Sequence, residues 1–416
     1  MSLALAPPAS PPRRAPKSAP RLRVLDLLRL VAAAAVVLFH FTARDHHRWQ
    51  GSLPAEVFPD LSQVTRYGYL GVHLFFVISG FVILASAWGR PVGSFAASRL
   101  SRLYPAFWAA VLVTATLRYL WPGFEARSPS EVLVNLTMLQ DLFGVPRVDG
   151  VYWTLWVELQ FYLLIGVFMR IGITASRVLG FAALVPVATV PATLLFPDLI
   201  RTFTLIEWLP LFCAGMVVHL MHRHGPSRLA WLVLAVDVAA SAWTSAARTA
   251  GAIDRVASGP ATSPTLMALG VAACVGLVAG ATLIPRVARV DSRALTRAGL
   301  LTYPLYLTHE YIGWASIEVL SSRLAPYLTL LLAVGVCLLV AVLVHVVAER
   351  PVQQPMRRWL EARLGPSQPS QPSQPSQPSQ PSQPPRPSPG VPSIDRGVLP
   401  WAAAVATSTA PGARRR

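Results

Sequence analysis

Apolar residues along this chain come in long blocks separated by short polar punctuation. Ten blocks are nearly free of charge, near 24–43, 68–88, 103–121, 151–170, 178–196, 203–221, 229–247, 265–284, 299–319 and 326–347. A helix of about 20 such residues crosses a bilayer core of ~30 Å. Inside lipid every backbone N–H and C=O needs a partner within its own segment or barrel, so single blocks of this length predict helices. The pattern therefore predicts an all-α fold, a polytopic membrane helix bundle of about ten transmembrane helices over residues 21–360.

Composition sharpens this picture. Of 416 residues 53% are hydrophobic and only 13% charged, with a mean hydropathy of +0.49. A soluble domain carries about a quarter charged residues, so one large water-exposed globule is excluded. The ends differ in kind from the blocks. Residues 1–20 are rich in Pro and Ala, with Arg13, Arg14 and Lys17, and lack the apolar core of a cleavable signal. They predict a disordered cytosolic N-terminal segment. From Pro366 the chain repeats Ser-Gln-Pro triplets, so 361–416 predicts a disordered, Pro/Ser/Gln-rich cytosolic tail that buries no core.

The net charge of +17 raises the question of nucleic acid. Its placement argues for a lipid bilayer instead. Lys17 is the sole lysine, and the arginines cluster in short loops between apolar blocks. Alternate loops and the two ends hold nineteen basic residues, from Arg13 to Arg358, against nine in the opposite set, from Arg44 to Arg323. Positive charge stays inside, which predicts a multi-pass plasma-membrane protein with both termini cytosolic and no nucleic-acid partner. Cys213, Cys274 and Cys337 each lie inside an apolar block without CxxC spacing, so neither a disulfide framework nor a metal site is expected.

Ionisable side chains inside a span are costly and mark candidate sites. Arg29 and His40 are eleven residues apart in the first block, close to three helical turns, so they share a face about 16 Å apart along the axis. A cation at one rim and an imidazole deeper in suit a long ligand with an anionic head, arginine gripping phosphate and histidine taking a hydroxyl proton. A snorkelling arginine and a histidine bonded across helices would give the same pair. His73 lies in the second block at similar depth. Ser79-Gly80 in that block permits close helix packing. Arg99 and Arg102, in the loop before the third block, share the Arg29 rim, and ordinary loop charge would also place them there. Glu158, about two turns into the fourth block, calls for a partner: it suits orienting His40, holding His73 or positioning a substrate, or a structural Glu–His pair. The ninth block is unusually polar, with Tyr303, Tyr306, His309 and Glu310. His219, His222 and His224 read as interfacial, and His46-His47 lacks a third ligand at useful spacing.

In order and spacing these segments resemble the acyltransferase-3 family of integral membrane O-acyltransferases, over Arg21 to about Leu360. The carrying motifs are Arg29 and His40 with ten residues between, the GVHLFFVISGF stretch at Gly71–Phe81, Arg99-x-x-Arg102, the segment Trp153–Tyr162 with Glu158 in register, Tyr303–His309, and Glu349-Arg350-Pro351. The resemblance implies acyl transfer from cytosolic acyl-CoA, acetyl-CoA foremost, to a hydroxyl of a sugar, cell-surface glycan or glycosylated natural product. Acyl-CoA is then a co-substrate, with no permanently bound cofactor. On that reading Arg29, Arg99 and Arg102 hold the CoA phosphates and His40 is the general base. Glu158 is its orienting or relay partner, and Ser79, Gly80, Trp153, Tyr162, Tyr306 and His309 line the substrate channel. A transient acyl-enzyme is an alternative route. Where the family carries an acidic residue this chain has His73, a departure that transfers its role to Glu158 or alters acceptor choice. Without a fused soluble hydrolase-like domain in the sequence, the expectation is the stand-alone form. The main rival is a proton-coupled transporter of a polar solute, although paired broken helices are missing from the pattern. A scaffold presenting the Pro-rich tail would leave the intramembrane charges unexplained.

Overall fold

The computed structural model describes residues 22–196, 200 and 203–364. The tail expectations for 1–20 and for all of 361–416 beyond Leu364 thus lie outside the described residues, while 361–364 are helical and not part of a disordered tail. Among the described residues, ten long helices carry the architecture: α1 (Val24–Thr42), α2 (Leu70–Ala87), α3 (Val92–Leu120), α4 (Trp153–Ile171), α5 (Ala175–Leu195), α6 (Leu205–His224), α7 (Arg228–Thr244), α8 (Pro264–Leu283), α9 (Arg293–Ser321) and α10 (Pro326–Val344). An amphipathic α11 (Arg350–Leu364) follows. Among the described residues there is no strand beyond an isolated bridge between Trp49 and Ser52.

Local chemistry sets many of the boundaries. Ser227 and Ser263 accept hydrogen bonds from the N–H groups of Ala230 and Leu266, capping α7 and α8, and Thr174 does the same for α5. Pro264 and Pro326 occupy first-turn positions where the missing N–H has no helical partner to lose. Among the described residues, nine helical stretches are long and apolar enough to cross a membrane. Of the ten predicted blocks the exception is α9. At 29 residues it is long enough, but Thr302, Tyr303, Thr308, His309 and Glu310 dilute its apolar character. These residues are shielded by protein: Thr302, Thr308, His309 and Glu310 are all buried.

One boundary differs in a way that matters. Arg99 and Arg102 were expected in a loop, yet they lie within α3, which starts at Val92 directly after Pro91. Nothing between Val92 and Leu103 interrupts helix formation, and Pro105 is accommodated inside the helix. Both arginines are therefore fixed to a rigid element.

α6 runs along α2, α5 and α7, and α1 packs between α2 and α9. The α2–α6 contact is unusually close. A Cβ on Gly80 would strike the Phe212 carbonyl, and one on Gly215 would strike that of Val77. Such reciprocal glycines let two backbones approach, the usual means of helix association without a hydrophobic drive. α7 continues through a π-helical stretch, Ser245–Thr249, into a short helix Ala250–Asp254.

Candidate active site

α1, α2, α3, α4 and α9 line a cavity, partly open to solvent, with about 820 Å3 of empty space including that opening. Arg29 comes from α1, Ser79 from α2, Arg99 and Arg102 from α3, Glu158 and Tyr162 from α4, and Thr302, Tyr303 and Tyr306 from α9. The rest of its wall is largely apolar. Arg29 Nη1 lies 3.5 Å from Asp26 Oδ1. Arg99 donates to the Ser86 hydroxyl, and its guanidinium lies 5.8 Å from the centre of the Tyr162 ring. Tyr303 donates from its hydroxyl to the Leu103 carbonyl at 3.1 Å, tying α9 to α3. Three guanidiniums border this one cavity, and each offers a planar fork of N–H donors of the kind that suits anions.

Glu158 belongs to this arginine-lined cavity. Its Oε1 accepts from the Tyr162 hydroxyl at 2.6 Å. The expectation that it partners His40 or His73 finds no contact to match: Glu158 projects from α4 toward the α3 arginines, while both histidines find other partners.

A second cavity, with about 840 Å3 of empty space, adjoins the first. It is bordered by Val36, Phe39 and His40 of α1, with Arg44, Tyr69, Arg147, Gly150 and Trp153. Val72 and Tyr306 line both cavities. The Tyr306 hydroxyl is bonded to Thr154 Oγ1 at 2.9 Å, so its ring stands as a fixed post where the two spaces meet. Arg29, Val36 and His40 are spaced seven and four apart on α1, one continuous face, and that face looks into both cavities in turn.

The hydrogen bonds around His40 define its tautomer. His40 Nδ1 lies 2.8 Å from the Val36 carbonyl oxygen and 3.2 Å from His309 Nε2. His309 Nδ1 in turn lies 2.9 Å from the Tyr306 carbonyl oxygen. Carbonyls only accept, so each Nδ1 carries the proton and His309 Nε2 offers a lone pair. His40 Nε2 is then the basic nitrogen, 3.7 Å from Glu310 Oε2. Glu310 Oε1 accepts from Arg44 Nη1 at 2.6 Å, and the His40 carbonyl accepts from the Trp314 indole N–H at 3.2 Å.

Asp149 completes this cluster from the loop before α4. Its Oδ1 accepts from the Val151 N–H at 3.1 Å. Burial, and then the neighbouring Glu310 carboxylate, push the Asp149 carboxyl well above the usual carboxylate range. Asp149 Oδ2 and Glu310 Oε2 are both buried without a hydrogen-bond partner. Gly150 lies so near Glu310 that a Cβ there would come within 2.9 Å of Oε2.

The remaining candidates divide between site and scaffold. Trp153 lines the His40 cavity, and Ser79 and Tyr162 line the arginine cavity. Gly80 faces Phe212 of α6, a packing contact and not a channel wall. His73 is fully buried and lines neither cavity. Its Nε2 is bonded to Ser245 Oγ at 2.9 Å, and its ring meets Trp208 edge-on. The equal depth of His73 and His40 on neighbouring helices does not bring them together, because their rings leave α2 and α1 toward different neighbours.

Three residues of the cluster had no assigned role in the sequence. Arg44 follows His40 by four residues, just beyond the end of α1 at Thr42. Glu310 follows His309 and was visible as an unexplained intramembrane carboxylate. Asp149, in VDGVYW, has the position and residue type that start a helix, a signal that does not distinguish a cap from a site residue.

The family model described as an acyltransferase domain matches residues 22–346, most of the chain and all of α1 to α10. No curated protein and no solved structure is a match. With Arg29, Arg99, Arg102, Tyr303 and Tyr306 lining one cavity, His40 lining the next, and the family model spanning them all, the chain belongs to the acyltransferase-3 family of membrane acyltransferases.

Proposed function

We propose that this protein transfers an acyl group, acetyl foremost, from acyl-CoA to a hydroxyl of a sugar, cell-surface glycan or glycosylated natural product. The observation that carries this reading is the junction of the two cavities at Val72 and Tyr306. One cavity holds three guanidiniums and the other a basic imidazole nitrogen, and the two share Val72 and Tyr306 in their walls. The CoA phosphates sit among Arg29, Arg99 and Arg102, and the pantetheine arm reaches past Tyr306. The thioester then lies beside His40. The arginine bias of the loops supports a plasma-membrane protein with the donor cavity and both termini on the cytosolic side.

The chemistry follows from the tautomer. The acceptor hydroxyl gives its proton to His40 Nε2 as its oxygen attacks the thioester carbonyl carbon. The C–S bond breaks, an ester C–O bond forms, and the proton passes from the imidazolium to the departing CoA sulfur. Glu310, 3.7 Å from Nε2, stabilises the transient positive charge, and His309 holds the ring. General base catalysis of this kind contributes about 10²–10⁴-fold. Glu158, hydrogen-bonded to Tyr162, sets the position of that hydroxyl beside Arg99 and serves the donor end. At the wall of the His40 cavity, Trp153 offers an apolar face to a sugar ring.

The test uses the purified full-length protein with acetyl-CoA and a panel of hydroxyl acceptors, reading release of CoA thiol. Thiol release that depends on acceptor and is lost in His40→Ala supports the assignment. Full activity in His40→Ala would sink the base, and solute flux without thiol release would favour a transporter.

A further inference from the structure

We propose that the acceptor carries an anionic group, a carboxylate or a phosphate on its saccharide, bound in a third cavity beside His40. This rests on the hydroxyl-acylation reading above, because it names the acceptor of that same site. The third cavity has about 710 Å3 of empty space and shares Tyr69, Arg147, Trp153 and Ala252 with the His40 cavity. A hydroxyl held at His40 Nε2 therefore has the rest of its molecule directed toward this space.

Charge distinguishes the third cavity. Arg147, Arg248 and Arg255 line it against a single lining carboxylate, Glu207. Arg248 engages Glu207 through Nε at 3.3 Å and gives Nη1 to the Thr193 carbonyl at 2.9 Å, which leaves Nη2 uncommitted. Arg147 uses Nε and Nη2 on Asp141, leaving Nη1 uncommitted. Arg255 is exposed and has no ion pair or hydrogen bond among the described residues. With the other two arginines internally compensated, Arg255 gives the cavity a net positive charge, and the spare N–H groups of its neighbours add donors. A guanidinium cluster of this kind binds carboxylate or phosphate in preference to a neutral polyol.

Aromatic residues supply the rest of the saccharide site. Tyr69 and Trp153 are nearly parallel, 14° apart with ring centres 6.5 Å from each other, and Trp208 lies 5.4 Å from Trp153. Their apolar faces suit the C–H faces of a sugar ring. Arg248 and Thr249 reach the cavity wall from the π-helical stretch Ser245–Thr249, a kind of helical irregularity frequent at functional sites.

The experiment measures binding to the detergent-solubilised full-length protein by calorimetry, independently of turnover. The probes are methyl glucuronide, glucose 6-phosphate, neutral methyl glucoside and inorganic phosphate. Either anionic saccharide binding at least about tenfold more tightly than the glucoside supports the proposal, a difference of about 1.4 kcal/mol. The stronger of the two identifies the anion. Equal or undetectable binding of all three saccharides overturns it, and so does inorganic phosphate binding as tightly as glucose 6-phosphate. Arg255→Gln should reduce the anionic preference about tenfold, with Arg255→Lys restoring it; an unchanged preference in Arg255→Gln overturns the placement. Thiol release from acetyl-CoA is read separately. Anionic preference without thiol release sinks the acyl-transfer reading and leaves the anion site standing.

Discussion

His309 Nε2 lies 3.2 Å from His40 Nδ1, so an imidazole from α9 fixes the orientation of one from α1. Because His309 Nδ1 is committed to the Tyr306 carbonyl, its other nitrogen can only accept, and this holds the basic nitrogen of His40 toward the second cavity. His309→Ala should therefore lower kcat about 10²-fold, the loss typical of a misplaced reacting group, with little change in KM for acyl-CoA. Steady-state kinetics separates the two. A rise in KM alone would mean that His309 binds substrate and does not position His40.

Glu310 joins Arg44 to the neighbourhood of His40 Nε2. Glu310→Gln keeps the shape and removes the charge that would stabilise an imidazolium. The expected result is a fall in kcat of about tenfold or more, since charge-assisted contacts contribute about 1.5–3 kcal/mol. Thermal unfolding should also drop by a few degrees, because Arg44 loses its counter-charge. Wild-type kcat in Glu310→Gln would remove Glu310 from the reaction.

Asp149 makes a pH-dependent contribution of known sign. Its folded-state pKa is raised by burial and by Glu310, so the folded protein holds a proton that the unfolded chain has already lost. Stability from this group is present below the ordinary carboxylate pKa of about 4, falls as pH rises toward the raised value, and stays lost above it. Asp149→Asn retains the oxygen that accepts from the Val151 N–H. It should raise the thermal midpoint at neutral pH and flatten the decline that sets in above about pH 4. His46 works the other way: burial pushes its imidazole down to about 3, so its contribution is full above about pH 6.5 and lost on acidification. Comparing mutant with wild type at each pH cancels the His46 contribution. An unaltered pH profile in Asp149→Asn would show that Asp149 is ionised in the folded protein.

The donor cavity predicts a specific split between substrates. Arg99→Gln or Arg102→Gln should raise KM for acetyl-CoA about tenfold or more, as expected for a lost charged hydrogen bond. Acetyl-pantetheine, which lacks the nucleotide phosphates, should respond little. Equal effects on both donors would place these arginines away from the phosphates.

Gly80 tests the scaffold and not the chemistry. Its Cα faces the Phe212 carbonyl where α2 meets α6, so Gly80→Val forces the helices apart at a cost of about 1–3 kcal/mol. Folded yield and thermal midpoint should both fall. Normal stability with altered substrate selectivity would instead make Gly80 a channel residue.

The shared face of Arg29 and His40 was legible in the sequence because helical period alone determines it. The family resemblance, and not the helical period, suggested Ser79 and Tyr162 as channel residues, and both line the arginine cavity. The partners were not legible. Glu158 and Glu310 are both intramembrane carboxylates, and spacing along the chain gives no rule for which of them approaches His40. The helix packing does: α9 lies against α1 while α4 brings Glu158 to the arginines of α3. His73 illustrates the converse, since equal depth in the membrane does not imply a common direction around the helix.

Blocks of charge-free residues, set by the thickness of a bilayer and the need to satisfy the backbone within it, determined the helical class and nearly every span from sequence alone. The polar α9 remained recognisable as a helix because it is long, although its composition falls short of a lipid-facing span. Tertiary structure decided what the sequence left open: the junction of two cavities at Tyr306, the exchange of Glu158 for Glu310 beside His40, and the arginine-lined space next to them. These depend on which faces of separate helices meet, a property of packing between distant segments that no local period along the chain encodes.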